Sequence, residues 1–321
     1  MTVAAASPAP GLAETALMTR RITRLSVAVA LILTLAKLAA WRASGSVALL
    51  ASLADSGLDV LAALVTYFAV RYAASPPDPE HRYGHGKAEA FASLTQAGLV
   101  FATAALVGQE AVVRLIHPKP ITAEAWGMAV MGLSLVMTAG LVFAQTQVLK
   151  RTRSVAVHGD RAHYVVDFGS NLVALAGIGA SAVVGGPIPD AIAGLIVTGW
   201  LVWGAIGVFR QASFELMDHE LPDEARSRIV ALMTDDPRVR DVHQLRTRAS
   251  GPYIHIQMHA ELDPTLSLVE AHQVMVAAER RVLKAYPSAD IIVHPDPRGA
   301  AEPHGGSFPE VHESGPKSAV R

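Results

Sequence analysis

Six stretches of this chain, residues 25–41, 46–72, 88–115, 123–149, 163–184 and 191–209, are apolar over unusual lengths. Each meets or approaches the roughly 20 residues that a helix needs to cross a bilayer core. The segments between them read as loops: 42–45, the Pro-rich 75–82, 117–120, the basic 150–153 and the Gly- and Pro-bearing 185–189. Composition agrees, with 51% hydrophobic and only 17% charged residues, against roughly 25% charged in an ordinary globular chain. The expected architecture is a membrane protein of six transmembrane helices.

The first span follows Arg20, Arg21 and Arg24 and has the outline of a signal peptide. Five further spans favour a retained anchor. With the amino terminus in the cytoplasm, that side holds Arg20, Arg21, Arg24, Arg71, Arg82, Lys87, Lys150, Arg151, Arg153, Arg161 and Arg210. The other side holds Arg42, Arg114 and Lys119. The positive-inside rule therefore places both termini in the cytoplasm.

Charge divides the chain as hydropathy does. Residues 1–212 carry a net +4 and 213–321 a net −5, and the latter hold more than half of all charged residues. This acidic portion reads as water-soluble, and without a basic patch a nucleic-acid partner is not expected. Its pattern is a helix over 222–235, two alternating strands over 242–249 and 253–262 joined through Ser250, Gly251 and Pro252, a helix over 268–285 and a short strand over 289–294. That order makes a small cytoplasmic α+β domain. Expected boundaries are an N-terminal tail at 1–19, a transmembrane domain at 20–212, the α+β domain at 213–297 and a disordered tail at 298–321.

The chain has no cysteine, so a metal must be held by His and carboxylates. Asp55 and Asp59 lie ten to fourteen residues into the second span. An ionised carboxylate there costs a few kcal/mol even by the mildest insertion scale. Their i,i+4 spacing puts both on one helical face, where they repel unless a cation intervenes. The alternatives are a helix end dipping into headgroups, or two protonated acids bonded to backbone. The fifth span repeats the spacing with His163 and Asp167. Two helices offering two ligands each can close a site of one nitrogen and three carboxylate oxygens, which suits tetrahedral Zn²⁺.

Asp78, His81 and His85 fall within eight residues in the loop between the second and third spans, with Gly84 and Gly86 to let the backbone bend. They form a candidate metal site or a solvated polar loop. In the soluble domain, His243, His255, His259, His272, His294 and Asp296 come from the expected strands and second helix.

Together the segments GSVALLASLADSGLD at 45–59, HRYGHGKAE at 81–89, HYVVD at 163–167 and LRTRASG at 245–251 resemble the cation diffusion facilitator family, in its bacterial zinc and iron efflux branch. The resemblance covers about 20–297. It implies a six-helix membrane domain, a ferredoxin- or metallochaperone-like cytoplasmic domain, and a homodimer in the lipid bilayer exchanging protons for divalent cations. It assigns the transport site to Asp55, Asp59, His163 and Asp167, and a loop site to Asp78, His81 and His85. A binuclear cytoplasmic site falls on His243, His259, His272, His294 and Asp296, with His272 as the bridge, and His255 matches no ligand. The family also has a contributor between the last two ligands, a place held here by Pro295. Lys87 and Asp218 match a charge pair that links protomers at the hinge between domains.

The expected function is export of Zn²⁺, with Fe²⁺ or Cd²⁺ as further cargo, by alternating access and proton antiport, and not enzymatic. Its rivals are a membrane-anchored metal sensor, a manganese exporter and a membrane metallohydrolase. The last lacks an HExxH motif and an open position on the metal. A sensor has no need of a buried site.

Overall fold

The computed structural model describes residues 12–44, 47–117, 125–184 and 188–299. Six long helices come first: α1 (Leu12–Ser44), α2 (Val47–Ala73), α3 (Ala88–Ile116), α4 (Ala125–Leu149), α5 (Val155–Val184) and α6 (Ile188–Leu216). Among the described residues, α1, α3, α4 and α6 are long and apolar enough to cross a bilayer. The 27-residue α2 carries Asp55 and Asp59, and the 30-residue α5 carries Asp160 and Asp167.

Two helices begin earlier than their apolar stretches. The expected tail at 1–19 is already helical from Leu12, because Leu12, Ala13, Glu14, Ala16, Leu17 and Met18 are strong helix formers. Helix α5 starts at Val155 rather than near His163. Its extra two turns carry His158, Asp160 and Arg161 yet are largely buried, with Ala156 and Val157 fully enclosed and Asp160 1% exposed. The calls on residues 1–11, on parts of the loops at 42–45, 117–120 and 185–189, and on the tail from 300 onward lie outside the described residues.

The helices form one compact unit over 14–216. Within it α6 packs on α3 and α5, α5 also meets α2, α3 and α4, and α2 lies on α3. One apolar cluster joins Ile22, Val29 and Leu33 of α1 to Val70, Ala92, Leu141, Val157 and Tyr164. A second joins Val100 and Ala104 of α3 to Val166 of α5 and Val197, Leu201 and Ala205 of α6. The outward surface is as apolar as the inside: Val136, Trp203, Phe143, Leu106 and Ile196 are all well exposed. In water such a surface would be costly, and against lipid tails it is neutral.

Small residues bring these helices together. A Cβ on Gly169 of α5 would run into the indole of Trp200 on α6, and one on Gly159 would lie 2.7 Å from Ser93 Oγ of α3. Gly169→Ala is therefore expected to destabilise the helical unit by about 1–3 kcal/mol, the usual cost of overpacking. Thermal unfolding in detergent reads this directly, and an unchanged midpoint would contradict the packing.

From Met217 onward the chain forms the other unit. It contains α7 (Asp223–Met233), β1 (Val239–Ser250), β2 (Tyr253–Leu262), α8 (Leu268–Ala285) and β3 (Ala289–Pro297). The sheet order is β1-β2-β3, with β1 antiparallel and β3 parallel to β2. Gly251, at φ 55°, makes the turn of the β1–β2 hairpin. A parallel return needs a crossover, and α8 supplies it. Ser267 and Glu270 close a capping box at the start of α8.

Ile256, Met258 and Ala260 of β2 point to Ile229 and Met233 of α7 and to Val274, Ala278 and Val282 of α8, all buried. Alternation then sends His255, Gln257 and His259 to the opposite face of the sheet. In β1 the register breaks between His243 and Arg246, where Gln244 takes φ 50°. This bulge lets His243 face the same way as His259 while Leu245 returns to the core.

Between α7 and β1, Arg238 grips Asp236 with two charge-assisted bonds, Nε to Oδ1 at 3.0 Å and Nη2 to Oδ2 at 2.7 Å. These bonds, with that of the Arg238 backbone N–H, lower the Asp236 pKa from 3.8 to about 2. A depressed carboxyl pKa stabilises the fold above its unfolded value and is lost as pH falls through the folded one. Asp236→Asn is therefore expected to flatten acid unfolding between about pH 4 and pH 2 and to leave stability at neutral pH less dependent on acidification. Circular dichroism across that range checks it.

Candidate metal centres

Among the described residues, three groups of His and carboxylate side chains converge, and in each the potential ligand atoms lie within 4.8 Å of one another. The first is inside the helical unit. His163 Nε2 of α5 lies 3.1 Å from Asp59 Oδ1 of α2 and 3.5 Å from Asp167 Oδ2, one turn further along α5. The His163 side chain is 7% exposed and those of Asp59 and Asp167 are 20% and 26%. Helical spacing puts His163 and Asp167 on one face, and the α2–α5 contact brings that face to Asp59. Asp55 occupies α2 one turn before Asp59, but its side chain lies outside the described residues.

The second group sits in the loop after α2. His81 Nδ1 is 3.2 Å from Asp78 Oδ1, and His85 Nε2 is 3.1 Å from Asp78 Oδ2. The two imidazole rings stand 4.6 Å apart. Gly84, at φ 80°, permits the turn between them. Asp78 Oδ1 also accepts the backbone N–H groups of Glu80 at 2.9 Å and His81 at 2.6 Å. Chiefly the His81 bond holds the Asp78 carboxyl below its usual range. His85 is almost enclosed, against Tyr72 at 4.4 Å between ring centroids, and its Nδ1 is buried without a partner.

The third group, His243, His259 and Asp296, lies on the sheet face away from the helices, with His294 beside it on the other oxygen of Asp296. His243, His259 and His294 occupy one row across the three strands, each paired in register with the next. Asp296, 4% exposed, accepts from all three: His243 Nε2 at 3.1 Å and His259 Nδ1 at 2.9 Å on Oδ2, and His294 Nε2 at 3.2 Å on Oδ1. Three imidazoles around a carboxylate fit the N/O donor set of Zn²⁺. His272 does not join them within one chain, since it is exposed on α8, in the helical layer. His255 instead pairs with Asp290 at 3.3 Å. Pro295 is exposed beside Asp296.

Of the charge pair read from sequence, Lys87 Nζ donates to the Leu216 carbonyl at 3.3 Å. Asp218, at φ 56°, accepts from Arg248 Nη1 at 3.1 Å. Sequence reasoning passed over the intramembrane Lys37 of α1, whose Nζ reaches Ser56 Oγ of α2 at 2.5 Å. It also passed over Asp160, Ser26 and Gln145 (below). For Lys37 the signal available was the rule that an ionisable residue within a span is functional by default.

Residues 23–217 match the cation efflux transmembrane domain, and 221–298 match the cytoplasmic domain of cation efflux proteins. The chain belongs to the cation diffusion facilitator family. Among its relatives, the cation-efflux pump FieF of Pectobacterium carotovorum is 40% identical over 86% of this chain and 91% of its own. FieF of Klebsiella pneumoniae is 38% identical over 85% and 90%, and FieF of Shewanella oneidensis 38% identical over 86% and 93%. A solved structure of CzrB in its zinc form is 30% identical over 27% of this chain and 99% of its own, with a TM-score of 0.25. The family consists of cation efflux transporters, not enzymes, and this member is a membrane-helical domain followed by a cytoplasmic domain with a small sheet.

Proposed function

We propose that this chain exports Zn²⁺ from the cytoplasm in exchange for protons, with Fe²⁺ and Cd²⁺ as further cargo. The observation that carries the reading is the convergence of Asp59, His163 and Asp167 from two packed helices within the membrane domain. Asp55 completes a four-ligand site with one nitrogen and three carboxylates. Such a site takes a divalent cation only when His163 is deprotonated, so metal and proton compete for the same atoms. The imidazole nitrogen can hold either a proton or the metal, which makes His163 the natural proton carrier. Alternating access then admits Zn²⁺ from the cytoplasmic side and lets protons displace it on the far side.

The proposed setting is the inner membrane, with both termini in the cytoplasm and two copies of the chain forming a homodimer. Lys87 and Asp218 link the protomers near the membrane surface. The domain boundaries follow the sequence reading, with transmembrane residues 20–212, cytoplasmic residues 213–297 and tails at 1–19 and 298–321. Asp78, His81 and His85 hold a metal at the loop. In the cytoplasmic domain His243, His259, His294 and Asp296 would hold Zn²⁺, joined by His272, and there the ion would cross-link the three strands. The relatives' name, cation-efflux pump, supports the direction of transport.

Proteoliposome uptake of Zn²⁺, Fe²⁺, Cd²⁺ and Mn²⁺ under one imposed pH gradient tests the reading. Zn²⁺ is expected to move fastest and Mn²⁺ slowest, because an imidazole ligand favours the softer ions. No flux of any ion, with Zn²⁺ still bound by the cytoplasmic domain, would instead favour a membrane-anchored sensor.

A further inference from the structure

Between α1, α4 and α5 lies a buried polar cluster apart from the metal ligands. Asp160 Oδ2 accepts from Ser26 Oγ of α1 at 2.7 Å and from Gln145 Nε2 of α4 at 2.8 Å. Gln145 Nε2 also lies 3.2 Å from Ser26 Oγ, and the Tyr164 hydroxyl donates to the Ser26 carbonyl at 3.2 Å. Ser26, Gln145 and Asp160 are each at most 1% exposed. Around them pack Ile22, Val29, Leu141, Ala156 and Val157. Two acceptors are left over in this dry setting, Asp160 Oδ1 and Gln145 Oε1, both buried without a partner.

An ionised carboxylate so enclosed, with two neutral donors and one bare oxygen, is costly unless a cation is near or a proton is bound. The groups facing Asp160 from α1 and α4 are Ser26 and Gln145, which do not titrate. Arg161, its neighbour in sequence, turns to Thr146 Oγ1 at 2.8 Å. The titratable groups at hand are His163 and Tyr164 on its own helix, with Asp59 of α2 beyond His163. His163 follows Asp160 by three residues, so the two share a helical face.

Resting on the antiport reading, we infer that Asp160 is a second proton-binding site of the transport cycle, protonated while the metal site is empty and ionised when a divalent cation sits beside His163. A dication bound beside His163 adds positive charge to the site about one helical turn from Asp160. That field breaks the Asp160 O–H bond and sends its proton to water. The exchange balances as one dication taken up at the metal site and one proton released from Asp160 to solvent, beside any proton that the metal ligands themselves release. The Ser26 and Gln145 donors stabilise the ionised form that results, and the bare Oδ1 is where the proton returns when the metal leaves.

The test counts protons released per Zn²⁺ by calorimetry of the full-length protein in buffers of different ionisation enthalpy, alongside Zn²⁺ uptake against pH. Asp160→Asn keeps the shape of the side chain and is expected to bind Zn²⁺ while releasing up to one proton fewer per ion at the transport site. Ser26→Ala removes one donor from the ionised carboxylate, so Asp160 holds its proton more tightly. The pH midpoint of Zn²⁺ uptake should then rise by roughly half a unit to one unit, the worth of one hydrogen bond. Should Asp160→Asn fail to fold, Ser26→Ala decides alone. Proton release and pH midpoint unchanged from the native chain would overturn the inference and leave antiport standing. Native protein that moves Zn²⁺ without any proton release would overturn both.

Discussion

Replacing His163 by alanine is expected to abolish metal flux while the protein still folds and its cytoplasmic domain still binds Zn²⁺. The imidazole stands between Asp59 and Asp167, at 3.1 and 3.5 Å, and is the only nitrogen ligand of the proposed site. Its loss leaves carboxylates alone, a donor set suited to harder ions. Outer-shell partners of metal ligands typically cost about 10–100-fold when removed. A direct ligand should cost at least the upper end of that range. Its contacts include the polar ligands and the ring of Tyr164. The comparison is Zn²⁺ uptake into proteoliposomes at matched protein incorporation. Uptake within threefold of native would remove His163 from the site.

Asp296→Ala should have the second largest effect, on metal-dependent stability rather than on flux. Both carboxylate oxygens are in use, one by His243 and His259 and the other by His294. Alanine takes away the only anion of the cluster and leaves three imidazoles that repel when protonated. With Zn²⁺ at a hundred times its dissociation constant, a native domain gains about 2.7 kcal/mol from binding. A hundredfold loss of affinity reduces that gain to about 0.4 kcal/mol at the same concentration. The upward shift of the unfolding midpoint on adding Zn²⁺ should therefore nearly vanish. A shift of native size in the variant would show that Asp296 holds no metal.

Much of the fold is legible in the sequence where local pattern and tertiary burial agree. Strand β2 and helix α8 have the bounds that alternation and helical period give, because one face of each is core and the other is not. The start of α5 is not legible that way. His158, Asp160 and Arg161 make 155–162 look like a loop, and only its neighbours show that it is buried helix. The bulge at Gln244 has no glycine to announce it, yet it sets which face His243 takes.

The metal sites follow the same division. Asp59, His163 and Asp167 are visible as i,i+4 spacings in apolar stretches, and Asp78, His81 and His85 as a short run. The row His243, His259, His294 exists only through strand register, which spacing does not reveal. For the same reason His272 is indistinguishable in sequence from the other histidines, although it stands on the opposite layer. The cluster of Ser26, Gln145 and Asp160 is invisible in sequence because its members come from three helices and none repeats at a diagnostic interval.

The most direct measurement is simultaneous recording of Zn²⁺ and pH inside proteoliposomes as the imposed proton gradient is reversed. Coupled exchange predicts that Zn²⁺ flux reverses with the gradient, that protons move opposite to Zn²⁺, and that Asp59→Ala abolishes both signals together. Zn²⁺ flux that ignores the gradient, or that persists in Asp59→Ala, would contradict a proton-coupled site on α2 and α5.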